Sequence, residues 1–207
     1  MKKEEVIRRI KREKIIAIVR LDSQGQVSPL IKILVENGIS ILEITSNTPG
    51  FTEEISKAKK SYPRTIIGAG TVLNPKIAEA AIKAGAQFLV TPNVNPGVIK
   101  IAKQHAIPVL MGAMTPTEIY NAIETGADFI KLFPAGNLGV VYFKALKSVF
   151  NQIDFFAVGG IDTSNIQEWL TSGVAGIGLG SALTKTNDNS HGIEKTIQQI
   201  LHLSKTQ

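Results

Sequence analysis

Short apolar runs rich in β-branched residues recur along the chain. They begin near Ile15, Ile41, Thr65, Gln87, Ile107, Asp128, Asp154 and Ala175, at intervals of 20–26 residues. Between them, apolar positions return with helical period, as in Val27–Asn37, Pro75–Ala84, Pro116–Thr125 and Thr163–Thr171. Runs apolar at every position suit strands covered on both faces, and strands alternating with helices predict a parallel sheet. A charged helical segment, MKKEEVIRRIKREK, precedes the first strand.

Glycines punctuate this pattern. One closes the helix before strands 2, 4, 6 and 8, at Gly38, Gly85, Gly126 and Gly173, spaced 47, 41 and 47 residues apart. Glycine there supplies the left-handed cap that returns the chain to the sheet. Eight such regular units predict one domain over residues 1–207, a (β/α)8 TIM barrel with an extra N-terminal helix and short loops. The alternative, an open flavodoxin- or Rossmann-like sheet, calls for a glycine-rich turn after strand 1. The sequence IIAIVRLDS has none there.

The same glycines serve as a ruler. Five residues beyond each lie Glu43, Val90, Lys131 and Gly178. If the repeats superpose, these four share one inward-facing layer near the C-terminal mouth. Glu43 and Lys131 then project from opposite walls, with room left by Val90 and Gly178. A buried lysine is driven towards its neutral form, which can attack a ketone. A structural ion pair, or a lysine that faces outward and snorkels to water, fits these positions too.

Strand 7 ends Val158-Gly159-Gly160-Ile161-Asp162 and strand 8 ends Leu179-Gly180-Ser181. Barrel enzymes often bind phosphate at these two loops, through backbone N–H groups and a helix N-terminus. Thr71, after Gly68-Ala69-Gly70, brings a hydroxyl to the mouth. Arg20, at the end of strand 1, carries a planar fork suited to a carboxylate, although an arginine at a strand end is commonly a surface residue.

Composition narrows the classes. With no cysteine and three histidines, disulfide frameworks and thiolate or histidine-rich metal sites drop out, and a reducing compartment fits. The N-terminus lacks the apolar core of a secretory signal, and no apolar run reaches membrane-spanning length. The net charge of +6 is concentrated in the first fourteen residues, and no aromatic platform accompanies it. A solvated basic surface with mild attraction for anionic substrates is therefore expected, not a nucleic-acid footprint. The segment Thr184–Ser190 reads as a surface loop without an assignable role.

The stretches LEIT (42–45), IIGAGTVLN (66–74), MTPTE (114–118), FIKLFPA (129–135), AVGGID (157–162) and GIGLGSAL (176–183) resemble, in order and over nearly the whole chain, the 2-keto-3-deoxy-6-phosphogluconate / 4-hydroxy-2-oxoglutarate aldolase family. The resemblance implies a cytoplasmic homotrimeric lyase that needs neither metal nor organic cofactor. Its ligands would be a phosphorylated keto acid and pyruvate, not nucleic acid or membrane. It implies Lys131 as the Schiff-base lysine and Glu43 as general acid/base acting through water. Substrate contacts would come from Arg20, Thr71, Thr45, Pro92 and Phe133, and phosphate contacts from Gly159, Gly160, Gly180 and Ser181. Some members carry an arginine where this chain has Asn47; others carry it at the end of strand 1, as Arg20 does here. Thr91 and Met111-Gly112-Ala113-Met114 also depart from the commoner pattern, in ways expected to affect packing. A sugar-phosphate isomerase or epimerase, or a silent binding barrel, would use the same scaffold without an imine.

Overall fold

A computed structural model describes residues 1–184 and 190–205. The loop expected across Thr184–Ser190 thus lies, but for its two ends, outside the described residues. Eight parallel strands close into a barrel in sequence order: β1 Ile15–Val19, β2 Ile41–Thr45, β3 Ile66–Gly70, β4 Leu89–Val90, β5 Val109–Ala113, β6 Phe129–Leu132, β7 Phe155–Val158 and β8 Gly176–Leu179. Helix α1 (Lys3–Glu13) precedes β1. The outer helices are α2 Val27–Glu36, α3 Phe51–Ser61, α4 Pro75–Ala84, α5 Pro96–Gln104, α6 Pro116–Thr125, α7 Ala135–Val149, α8 Ile166–Thr171, the four-residue α9 Ser181–Thr184 and α10 Ser190–Lys205. The (β/α)8 architecture with its added first helix is the one read from the sequence.

Every residue of all eight strands is buried, because one face meets the helices and the other fills the barrel. Alternation sorts the side chains into two clusters. Ala17, Val19, Leu42, Ile44, Ile67 and Ile130 join the helix-facing core. Ile16, Ile41, Ile66, Phe88, Val90, Leu110, Phe129 and Phe156 fill the interior. Val6 and Ile10 of α1 belong to that interior cluster, so α1 plugs the N-terminal end. Lys3–Asp128 and Lys11–Asp154 ion pairs, both 2.7 Å, tie the plug to the chain entering β6 and β7.

The four ruler glycines all take positive φ, between 91° and 104°, the region in which a Cβ is strained. Helix α8 begins three residues later than the sequence pattern predicts. Asp162 instead folds the segment into a turn, accepting from the backbone N and Oγ of Ser164, while Asn165 donates to Gly160 O at 2.9 Å. These local side-chain bonds compete with the first helical turn.

Candidate active site

Two residues beyond Ile41 and Phe129 the inward face changes character, to Glu43 and Lys131. In the ladder Glu43 lies between Ile18 and Gly68, and Lys131 between Gly112 and Phe156. Glycines leave space here: a Cβ on Gly70 would fall on the Glu43 carboxylate, and one on Gly112 would strike the Pro92 backbone.

Both charged residues are buried, and among the described residues they close no direct ion pair with each other. Glu43 Oε1 is buried with no hydrogen-bond partner. Burial raises the Glu43 carboxyl above its ordinary pKa, against the opposing pull of Lys131 and Arg20. Burial lowers the Lys131 amine; Arg20 lowers it further, and Glu43 works the other way. Both shifts favour the uncharged forms, an amine beside a carboxylic acid. Lys131 Nζ lies 5.1 Å from the centre of the Phe133 ring.

Above Lys131 opens a cavity of about 260 Å³. Its walls bring together Lys131 of β6, the residues Arg20, Thr71, Pro92 and Phe133 just beyond the ends of β1, β3, β4 and β6, and Gly159, Gly160, Gly180 and Ser181 from the two glycine loops. Arg20 Nη2 donates to Thr71 Oγ1 at 3.1 Å. Thr71 holds a positive φ of 56°, a conformation a β-branched residue adopts only under constraint. Gly159 and Gly160 have φ of 89° and 73°, and both carbonyls are engaged, by Gly136 N at 2.7 Å and by Asn165. The loop is thereby bent and fixed beside the cavity.

Two expected residues do not line it. Glu43 sits below the wall, its free oxygen within the barrel. Thr45, expected to touch substrate, is fully buried: its hydroxyl is 3.0 Å from Thr48 Oγ1 and 3.4 Å from Val19 O. Alternation alone places Thr45 inward, but local partners capture its hydroxyl. Asn47 is exposed and also off the wall, leaving Arg20 as the arginine of the cavity. Thr91 donates to Asn93 O at 2.7 Å and accepts from Gly112 N at 3.0 Å, joining the end of β4 to β5 behind Pro92.

Sequence reasoning missed the apolar walls, Ile18, Val158 and Ile161, and the polar Thr184. Ile18 and Val158 were findable, since each lies two residues from an inward-facing position. Among the described residues no group of three or more His, Cys, Asp or Glu could hold a metal, and no helix is long and apolar enough to cross a membrane.

The family described as KDPG and KHG aldolase matches residues 6–200. A 2-dehydro-3-deoxy-6-phosphogalactonate aldolase of Escherichia coli K12 is 36% identical over 187 residues, covering 89% of this chain and 90% of that protein. A solved structure described as native KDPGal superposes with a TM-score of 0.87 at 33% identity, covering 93% and 94% of the two chains. The KDPG aldolase of Legionella pneumophila, solved with pyruvate captured as a covalent carbinolamine, superposes at 0.81 with 26% identity over 100% of this chain and 98% of that one. The chain belongs to the KDPG and KHG aldolase family.

Proposed function

We propose that this aldolase cleaves a phosphorylated 2-keto-3-deoxy sugar acid through an imine on Lys131, releasing pyruvate and an aldehyde phosphate. The observation that carries the reading is one amine, buried and held towards its neutral form, at the floor of a cavity whose rim offers a guanidinium and two glycine loops.

The chemistry follows from these groups. Neutral Lys131 Nζ attacks the C2 carbonyl and forms a carbinolamine. Glu43, held as the acid, supplies the proton with which water departs, leaving a protonated imine. That cation withdraws electrons, so the C3–C4 bond breaks as the C4 hydroxyl gives its proton to the Glu43 carboxylate. Glu43 lies below the cavity wall, so a bridging water carries these protons. The aldehyde leaves, the enamine takes a proton at C3, and hydrolysis returns pyruvate and the free amine. Arg20 and Thr71 face the substrate carboxylate, and the loops at Gly159–Gly160 and Gly180–Ser181 face its phosphate. Anchoring both ends converts binding into orientation at the bond that breaks.

The substrate proposed first is 2-keto-3-deoxy-6-phosphogluconate, giving glyceraldehyde 3-phosphate; 4-hydroxy-2-oxoglutarate, giving glyoxylate, fits the same carboxylate end. The phosphogalactonate relative supports the C4 epimer as an equal competitor, and a panel measuring pyruvate release from all three ranks them. A homotrimer in a cytoplasmic setting completes the proposal, checked by light scattering and cell fractionation. The chemistry itself is tested by borohydride reduction with pyruvate, where a stable adduct confined to Lys131 is expected. An unlabelled Lys131 sinks the imine and leaves a sugar-phosphate isomerase as the better reading.

A further inference from the structure

The turn after β2 reads Thr45-Ser46-Asn47-Thr48, and its hydroxyls point to both neighbouring strands. Towards β1, Leu21 N donates to Thr48 Oγ1 at 3.3 Å, while Thr48 Oγ1 and Thr45 Oγ1 each lie 3.4 Å from Val19 O. The two hydroxyls are 3.0 Å apart. Either hydroxyl can donate to the other while the remaining proton goes to Val19 O, and in both arrangements Leu21 N donates to Thr48, so all four groups are satisfied. The backbone is thus held on both sides of Arg20. Towards β3, Ser46 Oγ donates to Thr71 O at 2.7 Å and Ser46 N donates to Gly70 O at 2.8 Å. That grip falls on the residue whose left-handed backbone needs an outside constraint.

Arg20 and Thr71 are joined to each other only through side-chain ends. Arg20 is itself solvent-exposed, so its own packing cannot fix where the guanidinium lies. Buried hydroxyls have no water to fall back on, and losing the Thr48 hydroxyl takes away the acceptor of Leu21 N.

We infer that Ser46 and Thr48 are positioning residues: the β2–α3 turn is a hydroxyl clasp that holds Arg20 and Thr71 in register as one receptor for the substrate carboxylate. The inference rests on the aldolase reading and adds to it two residues that touch no substrate. It also explains why Thr45 is buried away from the cavity, since Thr45 supports Thr48.

Pyruvate is the probe, because it carries the carboxylate and the reacting ketone but no phosphate. Borohydride trapping at Lys131 is measured against pyruvate concentration for the parent, Ser46→Ala, Thr48→Val and the conservative Ser46→Thr and Thr48→Ser. Half-inhibition of sugar-acid cleavage by inorganic phosphate and the melting midpoint are followed alongside. Ser46→Ala and Thr48→Val should raise half-saturating pyruvate about tenfold and leave trapping at saturation within about twofold, the signature of lost binding without lost chemistry. The conservative variants should return most of the affinity, and phosphate inhibition should stay at the parental value.

Parental half-saturation in both Ser46→Ala and Thr48→Val overturns the clasp and leaves the aldolase reading intact. A rise that tracks the melting midpoint, moves phosphate inhibition equally and is not restored by Ser46→Thr or Thr48→Ser overturns it as well, because the turn is then only structural. A parent that never traps pyruvate removes the aldolase reading first, and the clasp with it. If Thr48→Val fails to fold, Thr48→Ser and the two Ser46 variants still give the answer.

Discussion

At the scale of single residues, the site depends on two groups whose charged forms burial disfavours. Burial raises Glu43 and lowers Lys131, so each moves towards the protonation state the proposed chemistry calls for without a direct ion pair. Replacing Glu43 with Gln keeps the shape and removes the proposed proton relay. Turnover should fall by about 10²–10⁴-fold while borohydride still labels part of the Lys131, and parental turnover would reduce Glu43 to a packing residue. The amine also has a thermodynamic signature. Unfolded Lys131 keeps its proton up to an ordinary pKa of 10.5, whereas the folded amine releases it at lower pH. Its contribution to stability is therefore whole above 10.5 and is lost as pH falls through the folded value. Lys131→Met removes this dependence, so the variant should be the more stable at pH 7. Its advantage should shrink towards pH 10.5, by up to about 1.4 kcal/mol per pH unit. Denaturant unfolding of both proteins from pH 7 to 10 measures the difference, and a constant gap would mean the folded amine retains its proton.

At the scale of elements, what could be read in advance depended on how local its cause is. The ruler glycines were legible because a left-handed helix end is decided within a few residues, and five steps from it strand alternation still holds. That is how Glu43 and Lys131 were found on opposite walls. Thr45, which the family resemblance offers as a substrate contact, instead turns its hydroxyl to Thr48 and Val19, partners that lie on a turn and a neighbouring strand. No periodicity reports on such cross-strand hydroxyl bonds, so Ser46 and Thr48 were invisible too. The glycine loops lie between these cases. Their composition was plain, but not the bends at Gly159 and Gly160 nor the pinning by Gly136 and Asn165. A Cβ on Gly160 would be strained by φ of 73° and would come 3.1 Å from Gly136 Cα. Gly160→Ala should therefore distort the loop, raising KM for the phosphorylated sugar acid well above any rise for 4-hydroxy-2-oxoglutarate. Equal rises for the two substrates would place the phosphate elsewhere.

At the scale of the whole molecule, the barrel divides its labour along its axis. The C-terminal mouth carries the glycines, the positive-φ threonine and the unpaired carboxylate oxygen, each of which costs stability. The N-terminal end carries the opposite: close-packed Ile16, Ile41, Phe129 and Phe156, closed from below by Val6 and Ile10 of α1. Barrels commonly keep chemistry on the first face and stability on the second. The plug makes that separation testable. Ile10 is fully buried, and Ile10→Ala leaves a void that the closed interior cannot readily collapse, so a loss of about 2–5 kcal/mol is expected. For a chain of this size that lowers the melting midpoint by roughly 4–20 °C. Phe129 and Phe156, packed edge to face at 5.3 Å, share the interior cluster with the plug, and Lys131 pairs with Phe156 in the ladder. If that aromatic layer insulates the site, pyruvate half-saturation measured well below the lowered midpoint should equal the parental value. A shift in half-saturation under those conditions would show that the plug sets the position of Lys131 through Phe156, and that stability and chemistry share one layer instead of occupying two.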